Sequence, residues 1–440
     1  MAALADINPF SLDTIEDPRP FWHAMRMEQP VYQVPGTGYF AVSRYEDALY
    51  VLTNEEIFSS KEPPGLQQPP GPEIEAILKE GYPPAHTLLS NDPPSHTRFR
   101  ALVNKAFSAR RVAAMEPHIR EIANHLVDEF IGEGRVELVS QFAVGLPLTV
   151  IADSLGVSRE DMGKFKKWSD DSVAPLGGMI SYQRQIECAR SLVEFQHYFA
   201  ARLEERRLEP RDDLLTDLVN ARLAGVEPLN VPEMLNILQQ LLVAGNETTT
   251  NLIASAMMLL LRSPEQMTAL RADPSRIPNF VEEALRIESP VSALFRVTLI
   301  DTEVAGVKIP AGSRVIVIYG SGNRDDAQFP DSHRLNLERE NVRSHLAFGQ
   351  GVHFCIGAAL ARLVSRVAFE TLLGRLHNIR FMAERNDFTH TPSFILRGLK
   401  QLWLEFDAGP AKELPASQKR RTVLQKSMNP EPNAPLKKGT

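Results

Sequence analysis

One short segment constrains this chain more than any other: residues 348–357, which read Phe-Gly-Gln-Gly-Val-His-Phe-Cys-Ile-Gly. Three glycines within nine residues predict a tightly folded backbone, because glycine adopts conformations that other residues rarely reach. A strong helical pattern follows at 358–377, so Cys355 is expected near the N-terminus of a helix. The unpaired N–H groups and the positive end of the helix dipole there favour a thiolate.

A zinc site is not expected around this cysteine. Tetrahedral zinc needs further Cys or His ligands at short spacing, and only His345 and His353 lie nearby. The thiolate could instead act as a nucleophile or as a haem ligand. The neighbours Phe348 and Phe354 favour a flat apolar cofactor over a polar acyl substrate. A plain buried hydrophobic residue is the remaining interpretation of a single cysteine.

A second segment predicts a long helix with a weak point at its centre. Asn230 and Glu233 fit an N-cap with a reciprocal acid, and Ser263-Pro264 ends a helix over 231–262. At 1.5 Å per residue, this helix would be on the order of 45 Å long, enough to cross a domain. Its middle, residues 244–250, reads Ala-Gly-Asn-Glu-Thr-Thr-Thr, and glycine and β-branched threonine weaken a helix interior. Flanking leucine, isoleucine and valine residues indicate that this polar patch is buried.

The remaining pattern is mainly α with a minor β part. Apolar residues recur at helical spacing in the ranges 97–107, 111–131, 140–155, 159–170, 181–206 and 211–223. Strands are predicted at 39–43, at 314–319 and in short pieces within 291–309, with turns at Gly306 and Gly312.

Two segments differ in composition from the rest. Residues 61–95 hold nine prolines and predict a long loop with a short helix at 73–79, either a lid over a site or a mobile connector. Residues 408–440 hold five prolines and seven basic against two acidic residues. They predict a disordered basic tail after a single domain over 1–407, either solvated or in contact with a partner or a membrane surface.

Composition excludes several classes of function. A net charge of -7 lacks the basic excess of a nucleic-acid binder. No run of roughly 20 apolar residues is available to span a membrane, and the N-terminus lacks a secretory signal pattern. The only cysteines are Cys188 and Cys355, so a disulfide framework is excluded and a reducing cytoplasm is the expected location.

Taken together, these segments resemble the cytochrome P450 family. The pattern F-G-x-G-x-H-x-C-x-G at 348–357 is similar to its haem-binding signature, and this family is known for thiolate-ligated haem. The pattern A-G-x-E-T-T is similar to the family's central-helix motif. A Glu-x-x-Arg pair at Glu283 and Arg286, and a segment Asp-Pro-Pro-Ser-His-Thr-Arg-Phe-Arg at 92–100, occur in the family's order. One departure is Asp326, where a proline is frequent.

The resemblance implies a triangular-prism fold with a long central helix, and a b-type haem whose proximal ligand is Cys355. It implies that Glu283 and Arg286 have a structural role, and that Glu247 and Thr248 deliver protons to bound oxygen beside an O₂ groove at Ala244 and Gly245. Haem contacts are implied for the rest of the cysteine loop, Phe348, Gly349 and Gly357, and propionate contacts for His96, Arg100, Arg296 and His353. By family position the apolar substrate pocket comprises Leu88, Leu89, Ala244, Val291, Leu294, Phe394 and Ile395.

The implied activity is that of a haem monooxygenase that uses O₂ to hydroxylate a hydrophobic small molecule. No flavin or ferredoxin module fits in the chain, so electrons would come from NAD(P)H through a separate ferredoxin reductase and ferredoxin. Arg111, Arg343 and Arg362 are candidates for docking an acidic ferredoxin.

Three alternatives stay open at this stage. The first is a peroxide-driven peroxygenase or an isomerase on the same fold, although Glu247 and Thr248 favour oxygen activation. The second is a haem-based gas or redox sensor, which would need a signalling output domain that the sequence does not display. The third is a haem-free binding protein in which Cys355 is structural.

Overall fold

The computed structural model describes residues 4–61, 70–177 and 180–408. These ranges are mainly helical with three small sheets, which confirms the predicted class. The helices are α1 (Leu12–Glu16), α2 (Arg19–Glu28), α3 (Tyr45–Thr53), α4 (Pro72–Leu78), α5 (Ser95–Val103), α6 (Ala109–Ala114), α7 (Glu116–Phe130), α8 (Gly145–Ser154), α9 (Met162–Val173), α10 (Tyr182–Leu208), α11 (Leu214–Val219), α12 (Val231–Leu261), α13 (Pro264–Ala272), α14 (Ile277–Glu288), α15 (Tyr319–Gly322) and α16 (Ala358–Arg375). The strands are β1 (Val31–Val34), β2 (Tyr39–Val42), β3 (Phe58–Ser59), β4 (Arg135–Glu137), β5 (Leu294–Thr298), β6 (Thr302–Val304), β7 (Val307–Ile309), β8 (Arg314–Val317), β9 (Leu376–Phe381) and β10 (Trp403–Ala408).

The largest sheet has the strand order β1-β2-β8-β5-β3, with β2 and β8 parallel and the other pairs antiparallel. A second sheet has the order β4-β10-β9, and β6 pairs with β7. The predicted strands at 39–43 and 314–319 are confirmed as β2 and β8, and the range 291–309 contains β5, β6 and β7. Gly306 and Gly312 have φ values of 81° and 77°, the left-handed region that the predicted turns require.

The predicted helices are present, but several boundaries differ. The range 111–131 divides between α6 and α7, because Pro117 in the first turn of α7 cannot donate a backbone hydrogen bond to a preceding turn. The range 140–155 begins with a π-turn at Val139–Ala143 before α8, and 211–223 contains only the short α11.

The long central helix is α12. Asn230 and Glu233 form the predicted capping box, with both side chain to backbone distances at 2.9 Å. The helix is continuous through the predicted weak point, because α8, α9, α14 and α16 pack around it and bury most of its apolar residues. One large hydrophobic cluster therefore surrounds α12, and the motif at 244–250 lies within it.

Within the proline-rich segment, the predicted short helix is α4, whose Ile74 and Ile77 pack on Ile186 and Ala189 of α10. The rest of the lid-or-connector prediction falls partly on residues 62–69, which lie outside the described ranges. The predicted basic tail also lies outside them, apart from its first residue. No helix in the described part of the chain is long and apolar enough to cross a membrane.

Candidate functional site

The cysteine loop is folded by its glycines. Gly349 and Gly351 have φ values of 66° and 69°, and the Cys355 N–H donates to the Phe348 carbonyl at 2.9 Å. A Cβ atom on Gly351 would lie 2.6 Å from the Leu52 carbonyl oxygen at the end of α3. Only glycine fits both the backbone conformation and this close approach, so the loop has one arrangement against α3.

The sulfur of Cys355 lies at the N-terminus of α16, as the sequence predicts. The backbone N–H groups of Gly357 and Ala358 hydrogen-bond to it. Burial raises the pKa of the thiol, while these N–H groups and the nearby Arg100 and Arg362 oppose that rise. Cys355 is half-buried, and in its thiolate form it is suited to act as a ligand to a metal.

An ion-pair network behind the loop was not predicted from the sequence. Arg362 donates to both carboxylate oxygens of Glu282, at 2.6 and 2.9 Å, and its guanidinium lies 4.6 Å from the centre of the Phe348 ring. His345 lies 3.2 Å from the same carboxylate. Although burial opposes it, hydrogen bonds from His345 and Arg362 lower the pKa of Glu282 to about 2. This network fixes Phe348, and with it the start of the loop.

The four residues expected to hold propionates include a close histidine pair. The ring centres of His96 and His353 are 4.2 Å apart, and the Nε2 atom of each is buried without a partner among the described residues. Burial and the nearby charge of Arg296 lower the pKa of His353 to about 3, and burial and Arg100 lower that of His96. Burial thus favours the neutral form of both rings, and each keeps one Nε2 atom without a described partner.

Two arginines accompany this pair. Arg296 is 6% exposed, donates to the Phe295 carbonyl at 2.8 Å and contacts the Tyr319 hydroxyl. Arg100 is half-buried close enough to Cys355 to influence its sulfur. Neither arginine forms an ion pair within the described ranges. Buried guanidinium groups without a carboxylate are costly, so this cluster fits a bound dianion.

These observations test whether a haem fits. A haem needs an axial ligand, apolar surfaces for its ring and cations or hydrogen-bond donors for its two carboxylates. Cys355 offers the ligand, Phe348 and the apolar face of α12 offer the surfaces, and the four-residue cluster offers the donors. The residues present fit the group.

The face of α12 at the centre of the motif carries Ala244 and Thr248. Thr248 Oγ1 donates to the Ala244 carbonyl at 2.7 Å, one turn back, and the Ala244 side chain is exposed. Gly245 has a different constraint, since a Cβ there would lie 2.8 Å from Cδ1 of Ile151 on α8. The glycine therefore also permits the close packing of α8 on α12.

Glu247 lies on the same turn, three residues after Ala244 and next to Thr248. Burial raises the pKa of this carboxyl group, and the charge of Asp170 adds to the effect. The amide of Asn251 lies 3.4 Å from Glu247 Oε1. Next to it, Asn246 donates to Ser169 Oγ at 2.9 Å, which ties the motif to α9.

Glu283 and Arg286 form a fully buried bidentate pair, at 2.7 and 2.9 Å. Glu283 also accepts from Arg339 Nε at 2.8 Å, a third partner that the sequence did not reveal. Arg286 donates to the carbonyls of Asn323 and Ser332. These contacts join α14 to the segment leading to the cysteine loop, and none involves the sulfur.

The predicted pocket residues separate into two groups. Leu88 is buried beside α12 and Leu89 is 41% exposed, while Val291 and Leu294 are half-buried at the start of β5. The other two predicted residues lie beside Val291 and Leu294. The Ser292 N–H donates to the Ile395 carbonyl at 2.7 Å, and all four side chains belong to or pack against one N-terminal cluster. Within it, Phe394 packs on Phe10 and Phe295, and Ile395 is 2% exposed.

Two of the three arginines predicted to dock a ferredoxin already form ion pairs within the chain. Arg111 pairs with Asp217 and lies 3.7 Å from Asp212, and Arg362 belongs to the Glu282 network. Arg343 is exposed and forms no ion pair with a described residue. Of the three, Arg343 alone offers an uncompensated charge in this part of the structure.

Comparison with known proteins agrees with this geometry. A family model described as Cytochrome P450 matches residues 181–397. Cytochrome P450 107B1 of Saccharopolyspora erythraea is 39% identical over 387 residues, which cover 86% of this chain and 93% of that protein. The 6-deoxyerythronolide B hydroxylase of the same organism is 36% identical, over 87% of this chain and 94% of its own. Among solved structures, CYP109E1 from Bacillus megaterium in complex with testosterone has a TM-score of 0.79 at 32% identity and covers 90% of this chain and 99% of that chain.

Similarity at this level, across most of both chains, establishes the family. The predicted fold and enzyme class are thereby confirmed, and the family implies haem iron and O₂ as cofactor and co-substrate. The chain belongs to the cytochrome P450 family of bacterial monooxygenases, whose members are typically hydroxylases.

Proposed function

We propose that this enzyme hydroxylates a hydrophobic small molecule, with electrons from NAD(P)H delivered by a separate ferredoxin reductase and ferredoxin. The observation that carries the proposal is the combination of the half-buried Cys355 with a cationic cluster. This cluster consists of Arg100 and Arg296, which form no ion pair with a described residue, and of His96 and His353, whose Nε2 atoms have no partner among the described residues. The net reaction takes one O₂, two electrons and two protons, and gives an alcohol and one water.

The chain's own residues would hold the haem through Cys355 and the cationic cluster. Once bound, a thiolate-ligated haem supplies O₂ activation and oxygen insertion into a C–H bond. The N–H groups of Gly357 and Ala358 stabilise negative charge on the sulfur, and the neighbouring charges of Arg100 and Arg362 act in the same direction.

Two residues of the central helix would deliver protons. Thr248 holds a hydroxyl on the accessible face of α12, beside Ala244. Burial raises the pKa of the Glu247 carboxyl group, so this acid holds its proton to a higher pH than an exposed glutamate does. An acid with a raised pKa and a hydroxyl on adjacent residues are suited to pass protons from the buried side of the helix to the reacting face.

The substrate would be apolar. Leu88, Leu89, Ala244, Val291 and Leu294 carry no charge, and we place no carboxylate clamp among them. One relative is named as a hydroxylase of 6-deoxyerythronolide B and one structural neighbour is in complex with testosterone, so these two compounds are suitable first probes. Binding of highly charged compounds alone would contradict an apolar pocket.

The redox partner would dock near Arg343. An exposed arginine without an ion pair attracts an acidic ferredoxin by charge steering, and this attraction weakens as salt rises. The two free thiols fit a cytoplasmic enzyme. Arg343→Glu is expected to slow ferredoxin-driven turnover and to flatten its dependence on salt. Unchanged turnover and salt dependence would remove Arg343 from the docking surface.

The deciding experiment uses the purified enzyme and its Cys355→Ser variant. The wild-type protein, once reduced and exposed to carbon monoxide, is expected to give the thiolate-type spectrum, and to incorporate one atom of labelled O₂ into testosterone or another apolar probe. The variant should lose both. Turnover with peroxide but never with O₂ and reductant would favour a peroxygenase, and a wild-type protein that takes up no haem would refute the whole proposal.

A further inference from the structure

Side-chain amides fasten the loop at 87–89 to the central helix. Thr87 Oγ1 donates to Asn236 Oδ1 at 2.6 Å, and the Leu89 N–H donates to Gln240 Oε1 at 3.1 Å. Gln240 Nε2 lies 3.2 Å from Thr87 Oγ1 and 2.7 Å from Asn236 Oδ1. Thr87 is completely buried and its bonds are partly shielded from water, whereas the bond between Leu89 and Gln240 is exposed. They join the loop to a single turn of α12, and we call them the amide latch.

The two α12 residues of the amide latch lie in the same row of that helix as Ala244 and Thr248. Asn236, Gln240, Ala244 and Thr248 follow one another at intervals of four residues, so they lie along one side of the helix. Successive members are about 6 Å apart along the axis. Gln240 thus holds the Leu89 backbone about one turn from Ala244 and two turns from Thr248.

The loop is also tied to the cysteine side of the site. The backbone of Leu88 interacts with the ring of His353. Asn91 Nδ2 donates at 3.0 Å both to the His86 carbonyl and to Ser95 Oγ, which closes the loop onto the start of α5. The loop therefore bridges the central helix and the propionate-binding histidine.

The segment before this loop has a different attachment. Helix α4 packs on α10, and the Tyr82 N–H donates to Gln196 of α10 at 2.9 Å. The side chains of Pro83 and Pro84, which follow, are exposed. The two halves of this long segment are thus anchored on different helices, and the half nearer the reacting face depends on α12.

We propose that Gln240 is a positioning residue that determines which part of a substrate reaches Thr248. It does so by holding Leu88 and Leu89, on the loop, at a fixed height along α12, and so sets the length of the apolar pocket. The inference rests on the proposed function, since it assigns the pocket to the haem side of α12.

The test uses two probes that bind ferric haem directly and need no knowledge of the substrate. Imidazole is small enough to avoid the pocket wall, whereas 4-phenylimidazole fills the space beside it. Both are followed by the Soret shift in the holoenzyme. Gln240→Ala removes the bonds to Leu89 and Thr87, and Gln239→Ala makes the same chemical change on the neighbouring residue, which lies off the row.

We expect Gln240→Ala to raise the dissociation rate of 4-phenylimidazole by about fivefold, equivalent to about 1 kcal/mol for one net hydrogen bond. Imidazole dissociation and the Gln239→Ala variant should be unchanged. Gln240→Glu keeps an acceptor for the Leu89 N–H, so it should raise the dissociation rate of 4-phenylimidazole less than Gln240→Ala does. Thr87→Val removes the hydroxyl without touching α12, and combining it with Gln240→Ala should give less than the sum of the two effects.

The outcomes are separable. If the wild-type protein gives no Soret shift with imidazole, the proposed haem function fails. If wild type binds both probes but Gln240→Ala leaves their rate ratio unchanged, or Gln239→Ala changes it equally, the amide latch has no positioning role. If Gln240→Ala does not fold, Thr87→Val decides the question, because an unchanged ratio there overturns the inference on its own.

Discussion

Replacing Glu283 by glutamine tests the buried network most sharply. Its carboxylate accepts from Arg286 at 2.7 and 2.9 Å, from Arg339 at 2.8 Å and from the Asn336 N–H at 3.0 Å. The carboxylate is thus the one negative group among these contacts, opposed by two arginines that are 0% and 6% exposed. Glu283→Gln leaves both cations buried without it, and removing one partner of a buried pair costs roughly 3–5 kcal/mol.

The measurement is the free energy of unfolding in guanidinium chloride, followed by far-UV circular dichroism at fixed haem saturation. Glu204→Gln is the matched control, because Glu204 pairs with Arg207 at 2.7 Å while both side chains are well exposed. A surface pair of this kind is worth at most about 1 kcal/mol. If Glu283→Gln costs no more than Glu204→Gln, the carboxylate does not hold α14 to the segment before the cysteine loop, and the reasoning from burial is wrong.

Two further predictions concern the central helix. Thr248→Ala is expected to lower the coupling, that is, the product formed per electron consumed, and to raise peroxide release. Thr249→Ala, the control, should leave the coupling unchanged. If wild type and Thr248→Ala have equal coupling, the Thr248 hydroxyl does not take part in proton delivery. Because burial raises the pKa of Glu247, the folded enzyme binds this proton more tightly than the unfolded chain, and wild type loses stability as pH rises above the ordinary value of 4.5. Glu247→Gln cannot titrate, so its unfolding free energy should exceed that of wild type at neutral pH by a margin that shrinks on acidification. A margin independent of pH would contradict the assigned pKa shift.

Local signals explain what the sequence predicted well. Glycines at 349 and 351 require left-handed backbone, and Asn230 with Glu233 forms a capping box, so both the cysteine loop and the start of α12 are specified within a few residues. Apolar periodicity likewise located most helices, although a proline at 117 moved one boundary. The proposed haem ligand Cys355 and the proposed proton-delivery residues Glu247 and Thr248 lie in such locally specified segments.

Contacts between distant segments could not be predicted from the sequence. Strand β10 pairs with β4 and β9, and nothing in its own pattern names those partners. The Glu282 network joins residues 80 positions apart, and the amide latch joins residues about 150 apart. The bridge between Val291 and Leu396 brings Phe394 to the start of β5, and this pairing depends on strand register. The pattern of a single sequence shows residue types and their spacing, but it does not show which distant segments pair with each other.

The contact between Gly351 and the Leu52 carbonyl has a practical consequence for protein engineering. The cysteine loop is not a self-contained cassette, because its backbone is moulded against the end of a helix encoded far upstream. Transplanting the loop into another scaffold without that helix end would leave the turn unsupported on one side, and the Cys355 sulfur would no longer be held in one position. A successful graft must carry both pieces of chain together.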